Sequence, residues 1–143
     1  MEYKKKNNTI LLRLDKGDEI TDSLKKVAET ESIRSGFFSG IGATDDFCVG
    51  VFDLENKKYN EYVFSGNHEI NALNGNFSTK DGQAYVHAHV TCTGNGGKVV
   101  GGHLLRAIVS LTCEIGITIV DEKVERRFDD DLGINRWLFE KTE

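Results

Sequence analysis

Only one stretch of this chain carries a helical repeat; almost everything else alternates. Ile20, Leu24, Val27 and Ala28 fall at i, i+4, i+7 and i+8 and form one apolar stripe, with Lys25, Lys26 and Glu29 turned to water. Asp18 or Gly17 is placed to start this helix, because an Asp at the first turn accepts orphan backbone N–H groups, and the pattern ends between Thr30 and Ser32. The remainder reads as strands over residues 9–14, 34–43, 47–54, 59–64, 69–77, 85–93, 99–106, 112–120, 124–128 and 136–139. Turn signals recur between them, among them Glu55-Asn56, Ser65-Gly66-Asn67, Lys80-Asp81-Gly82 and Gly94-Asn95-Gly96-Gly97. Strands joined by short turns pair antiparallel. One principal helix with about eight strands predicts an α+β domain built mainly on an antiparallel sheet, a single unit over residues 1–143. There is no proline and there are 15 glycines, so glycine must supply the turns.

Charge narrows the partners. A net charge of −5 works against tight non-specific DNA binding, which needs clustered cations. Lys4-Lys5-Lys6 is short and reads as a solvated terminus, as does the acidic run Asp129-Asp130-Asp131 for a loop. No apolar run approaches the roughly 18 residues of a membrane span, and the N-terminal stretch does not read as a secretion signal. Cys48, Cys92 and Cys113 cannot all pair within one chain, and the expectation is reduced thiols in the cytoplasm.

The informative segment is Tyr85-Val86-His87-Ala88-His89-Val90-Thr91-Cys92-Thr93. Strand alternation puts His87, His89, Thr91 and Thr93 on one face and Val86, Ala88, Val90 and Cys92 on the other. A third histidine follows in Gly101-Gly102-His103-Leu104, and a hairpin centred on Gly96 sets His103 directly across from His89. Opposed residues have Cβ atoms about 4.5–5.5 Å apart, so three imidazoles can converge. Three nitrogen ligands with one position left open is the pattern of catalytic zinc, so Zn²⁺ or another divalent transition metal on His87, His89 and His103 is the expected cofactor. The register carries that expectation, because a one-residue slip turns His103 to the wrong face. The same parity turns Cys92 away, and with no C-x-x-C pair each cysteine reads as a small core residue.

Glu69 and Asn71 share a face opposite Ile70 and Ala72, and Glu69 is the candidate catalytic residue, as fourth ligand, ligand-orienting partner or general acid/base. Glu114 reads as solvent-facing, and Arg13 and Arg106 as members of surface ion pairs. Ser39-Gly40-Ile41-Gly42-Ala43 lacks the third glycine and following helix of a dinucleotide loop, and Val99 after Lys98 excludes a phosphate loop.

Taken in order, Arg13-Leu14 and Gly17 before a short helix, Ser39-Gly40-Ile41-Gly42-Ala43, Glu69-Ile70 with Leu73 and Gly75-Asn76, His87-Ala88-His89, Gly101-Gly102-His103-Leu104 and Glu114-Ile115 resemble the PPC (plants and prokaryotes conserved) domain family over about residues 8–140. The resemblance implies an antiparallel sheet with a flanking helix, assembly as a homotrimer, and a DNA-binding or transcription-associated role. The chain lacks the Arg-Gly-Arg core of the AT-hooks that accompany the domain in plants. The fold is also similar to that of acetolactate decarboxylase, whose zinc is held by a His-x-His pair and a later histidine, which His87, His89 and His103 match. Two readings follow: a trimeric metal-binding regulatory module with DNA or a small molecule as partner, or a zinc-dependent lyase or hydrolase acting on a small carbonyl or carboxylate compound.

Overall fold

The computed structural model describes residues 1–139. In chain order it contains β1 (Glu2–Lys6), β2 (Thr9–Asp15), α1 (Ile20–Thr30), β3 (Gly36–Asp53), β4 (Lys58–Lys80), β5 (Gln83–Gly94), β6 (Val99–Ile119), β7 (Glu125–Asp129) and β8 (Ile134–Leu138). The apolar stripe of α1 is buried as read: Ile20, Leu24, Val27 and Ala28 are at most 1% exposed. They pack on β5 and β6. The cap differs from expectation. Glu19, one residue later, accepts from the Asp22 N–H at 2.6 Å, while the Asp18 carboxylate is drawn away to the Asp15 N–H and the N-terminal amino group. Glu19 also accepts from the Ala107 N–H at 2.8 Å, which ties the start of the helix to β6.

All strand pairs are antiparallel except one parallel contact, Thr79 with Glu125. The order is β1-β2-β6-β3-β4-β7-β8, and β5 bridges β4 and β6, so that β3, β4, β5 and β6 close on one another. Three strands are longer than the sequence reading divides them. Residues 34–43 and 47–54 belong to the continuous β3, which absorbs its irregularities as register shifts at Gly40/Gly42 and Thr44/Asp46. The buried Thr44 hydroxyl donates to the Ile108 carbonyl at 2.7 Å across one of these shifts. Residues 59–64 and 69–77 likewise join in β4 despite Gly66 at φ 85°, and residues 99–106 and 112–120 join in β6. A bulge bends a strand without ending its pairing. The basic run Lys4-Lys5-Lys6 lies in β1, an edge strand, rather than in a free terminus, with Lys5 paired to Glu31 at 2.8 Å. Lysines on an edge discourage pairing with another chain.

The core lies between α1 and the inner face of the sheet. Alternation is clean where one face is wet: in β2, Ile10, Leu12 and Leu14 are buried and Thr9, Leu11 and Arg13, which alternate with them, exposed. Phe47, fully buried, stacks on Phe64 with centroids 5.0 Å apart. In β5 the inner residues are Ala88, Val90 and Cys92, which leaves the histidines of the same strand on the outer face.

Candidate metal centre

The hairpin joining β5 and β6 turns through Asn95–Gly97, with Gly96 at φ 77°. Its ladder runs Thr93–Val99, Cys92–Val100, Thr91–Gly101, Val90–Gly102 and His89–His103. The register is the one the glycine-centred turn predicts, and His103 therefore faces the same side as His87 and His89. Ring centroids are 5.2 Å apart for His87–His89, 5.0 Å for His87–His103 and 5.4 Å for His89–His103. One nitrogen from each ring lies within 4.8 Å of the other two. Geometry of this kind lets three donors address a single cation.

The electrostatics fit a metal. Burial, then the neighbouring Arg126 and His89, pushes His87 down to about 4. Burial, then the other two histidines and Arg126, pushes His103 down to about 4 as well. Both rings are therefore neutral near pH 7, the state that offers a lone pair to a metal. His103 Nδ1 is buried and makes no hydrogen bond among the described residues, which is costly for a polar atom unless something fills that role. His89 is exposed, so the group opens to solvent on one side.

The support beneath the rings comes from β3 and β4. Tyr59 stacks on His103 with centroids 4.7 Å apart and planes at 29°. It can do so because Gly50, the cross-strand partner of His103, has no side chain: a Cβ there would lie 2.6 Å from Tyr59 Cδ1. On the other side, Asn76 is the cross-strand partner of His87. Arg126 of β7 donates to Asn76 Oδ1 at 2.9 Å and sits 3.3 Å from His87 Nδ1. The sequence reading did not find Arg126. Its only local signal is a position in a short strand, and three of the partners that define its role, Ser78, Asn76 and His87, are 39 to 50 residues away in the chain.

The remaining candidates fall into place separately. Glu69 is exposed and pairs with Thr93, four residues beyond His89 on β5, or about 13 Å at strand spacing. The structure does not bring it to the three histidines. Asn71 instead accepts from the Thr93 hydroxyl at 2.9 Å. Glu114 is exposed and lies across from Arg13, which pairs with Glu2 and Asp15. Arg106 holds Asp46 through both terminal nitrogens, at 2.8 and 2.6 Å. Cys48, Cys92 and Cys113 are free and buried, and burial pushes Cys92 up to about 11 and Cys113 up to about 12.

An antiparallel sheet with one helix, carrying three converging histidines across a glycine-tipped hairpin, defines the class of domain. The chain belongs to the Plants and Prokaryotes Conserved (PCC) domain family, whose model matches residues 1–121. It is similar to a "putative DNA binding protein" from Bacteroides thetaiotaomicron, with 31% identity over 98% of each chain and a TM-score of 0.94. It is also similar to a metal-containing protein from Archaeoglobus fulgidus, with 34% identity over 96% of this chain and 97% of the other, TM-score 0.86. A Staphylococcus aureus protein described as similar to alpha-acetolactate decarboxylase shares the fold alone, at 13% identity over 87% of this chain and 56% of the other, TM-score 0.56. Comparison with curated proteins finds no match.

Proposed function

We propose that this PCC domain is a trimeric metal-binding module of the reducing cytoplasm, with a role in DNA-associated or transcriptional regulation. His87, His89 and His103 hold Zn²⁺ or another divalent transition metal. The observation that carries the reading is the set of three imidazole nitrogens within 4.8 Å of one another, two of them on rings that burial keeps neutral. The similarity to a metal-containing archaeal protein supports it. The three buried free cysteines suit a reducing compartment. The trimer is supported by the family and by a trough on the outer face, where exposed Leu11 and Ile41 flank Gly40 and Gly116 and the rim carries Glu2, Lys4, Arg13 and Glu114. A trimer has a mass of roughly 48 kDa, which light scattering on the eluted protein reads directly.

Metal analysis of protein purified without a histidine tag tests the core of the proposal. Close to one divalent metal per chain is expected, lost in His87→Ala; metal-free wild type, or unchanged content in the variant, overturns it. The DNA part has its own test. Saturable binding to duplex DNA in the micromolar range at physiological salt supports it, and its absence removes DNA while leaving the metal site standing.

A second reading, a zinc-dependent lyase or hydrolase, is favoured by the exposure of His89, which leaves the group accessible from one side. Zinc held there would polarise a carbonyl oxygen of a small carbonyl or carboxylate substrate and lower the pKa of water to roughly 7. Glu69 can act as acid/base only for a substrate that spans the distance between Thr93 and His89.

A further inference from the structure

Among the described residues, Arg126 is a cation with no anion. It is 8% exposed. Its Nε–H donates to Ser78 Oγ at 2.8 Å, one terminal nitrogen to the Asn135 carbonyl at 2.9 Å, and the other to Asn76 Oδ1 at 2.9 Å, with His87 Nδ1 at 3.3 Å. The guanidinium lies 4.8 Å from the Tyr85 ring centroid and 5.8 Å from that of Trp137. Every one of these partners is neutral, and among the described residues no carboxylate forms an ion pair with it. Burying a charge without a counter-charge is expensive. The arrangement keeps an oriented, desolvated cation beside the histidines at a cost in stability.

A second observation points the same way. Trp137 Nε1, on the ring against which the guanidinium lies, is a buried donor, and Asn135 Oδ1 on the same strand a buried acceptor, each without a partner among the described residues. Buried polar atoms left unpaired in a native fold mark a missing partner. The partner required by a cationic fork and an indole N–H is an acceptor carrying negative charge. Arg126 and Trp137 both lie beyond residue 121, outside the segment the family model matches.

We infer that Arg126 and the three-histidine group form one receptor for the carboxylate of a small organic anion. The negative charge is shared between the guanidinium and the cation on the imidazoles. The inference rests on the metal reading above, because a second positive centre beside Arg126 strengthens the demand for an anion. A DNA phosphate is the wrong occupant, since a guanidinium buried to nine-tenths cannot reach a backbone that stays outside. A small carboxylate can take the one guanidinium N–H that Ser78, Asn135, Asn76 and His87 leave free.

The test uses the full chain, tag-free and zinc-loaded, at constant ionic strength. Acetate is the probe, inorganic phosphate the comparison, and the fluorescence of Trp137, the single tryptophan, the readout. Wild type should give a saturable response to acetate in the roughly millimolar range, stronger than to phosphate. Arg126→Gln should weaken acetate at least about ten-fold and Arg126→Lys at least about three-fold, each compared with wild type at matched zinc occupancy. No saturable acetate response in wild type overturns the proposal, whether or not the variants fold. Equal acetate affinity in wild type and folded variants also overturns it, as does a preference for phosphate. If wild type takes up no zinc, the metal reading fails separately. The titration then runs on the metal-free protein, where a response lost in Arg126→Gln sustains the anion site and no response overturns it.

Discussion

Acidifying the metal-free protein should cost it stability in a window that His87 and His103 set. Burial is the first cause of both shifts, and each imidazole is pushed down from 6.5 to about 4. Between those values the unfolded chain binds protons that the native state refuses. The contribution of the two rings is therefore fully present above pH 6.5, is lost as pH falls, and stops changing near pH 4. A single group contributes at most about 1.4 kcal/mol per pH unit, so two groups over the whole window set a ceiling of about 7 kcal/mol. Both rings keep some contact with water, so about half that ceiling, near 3 kcal/mol, is the expected loss. That is a large part of the 5–15 kcal/mol that holds a typical domain together. Urea unfolding with a chelator present, from about pH 7 to about pH 4.5, reads the loss as a falling midpoint at constant slope. The carboxylates of Asp15, Asp18, Glu31, Asp46 and Asp53 are held below their ordinary range by hydrogen-bonding partners, so their losses begin at about pH 5 and are shared by wild type and the histidine variant. A double variant, His87→Gln with His103→Gln, should lose most of the pH dependence. An equal slope in wild type and double variant refutes the reasoning.

Gly50→Ala would press a methyl group into the Tyr59 ring and lift it from His103; zinc affinity should fall by about two- to ten-fold, the worth of one aromatic stack, in a competition titration against a chromogenic chelator. Phe47→Ala removes a fully buried ring that stacks on Phe64, and chemical denaturation should show a loss of about 3–5 kcal/mol. Arg106→Ala breaks a two-pronged pair with Asp46 whose members are about half exposed, so the thermal midpoint should stay near that of wild type.

The outer-face placement of the histidines was legible because strand parity and hairpin symmetry are local rules. Ala88, Val90 and Cys92 point inward, so His87 and His89 must point outward, and a turn about Gly96 leaves His103 only one partner, His89. The helix was legible for the same reason, down to a cap displaced by one residue when Asp18 found a nearer partner in the N-terminal amino group. Strand ends were harder. Residues near Thr44 and Ser65-Gly66-Asn67 look like breaks, but the paired neighbours hold the chain extended through bulges, and the resulting β3 and β4 are long and bent. Lys4-Lys5-Lys6 resembles a loose terminus because nothing in three lysines reports that β2 lies beside them. Arg126 was invisible for a stronger reason: its meaning comes from Ser78, Asn76, His87 and Asn135, which only the closed sheet and the last hairpin bring to one place. The place of Glu69 along its strand was not legible, because a strand face says nothing about distance along it.

The central claim is that one cation is shared by three imidazole rings. Crystals of tag-free protein grown with zinc, measured just above the zinc absorption edge, test it most directly. The account predicts one strong anomalous peak per chain, about 2.0–2.1 Å from a nitrogen of each of His87, His89 and His103. No peak between those rings, or a peak bound elsewhere with the rings turned apart, would contradict it.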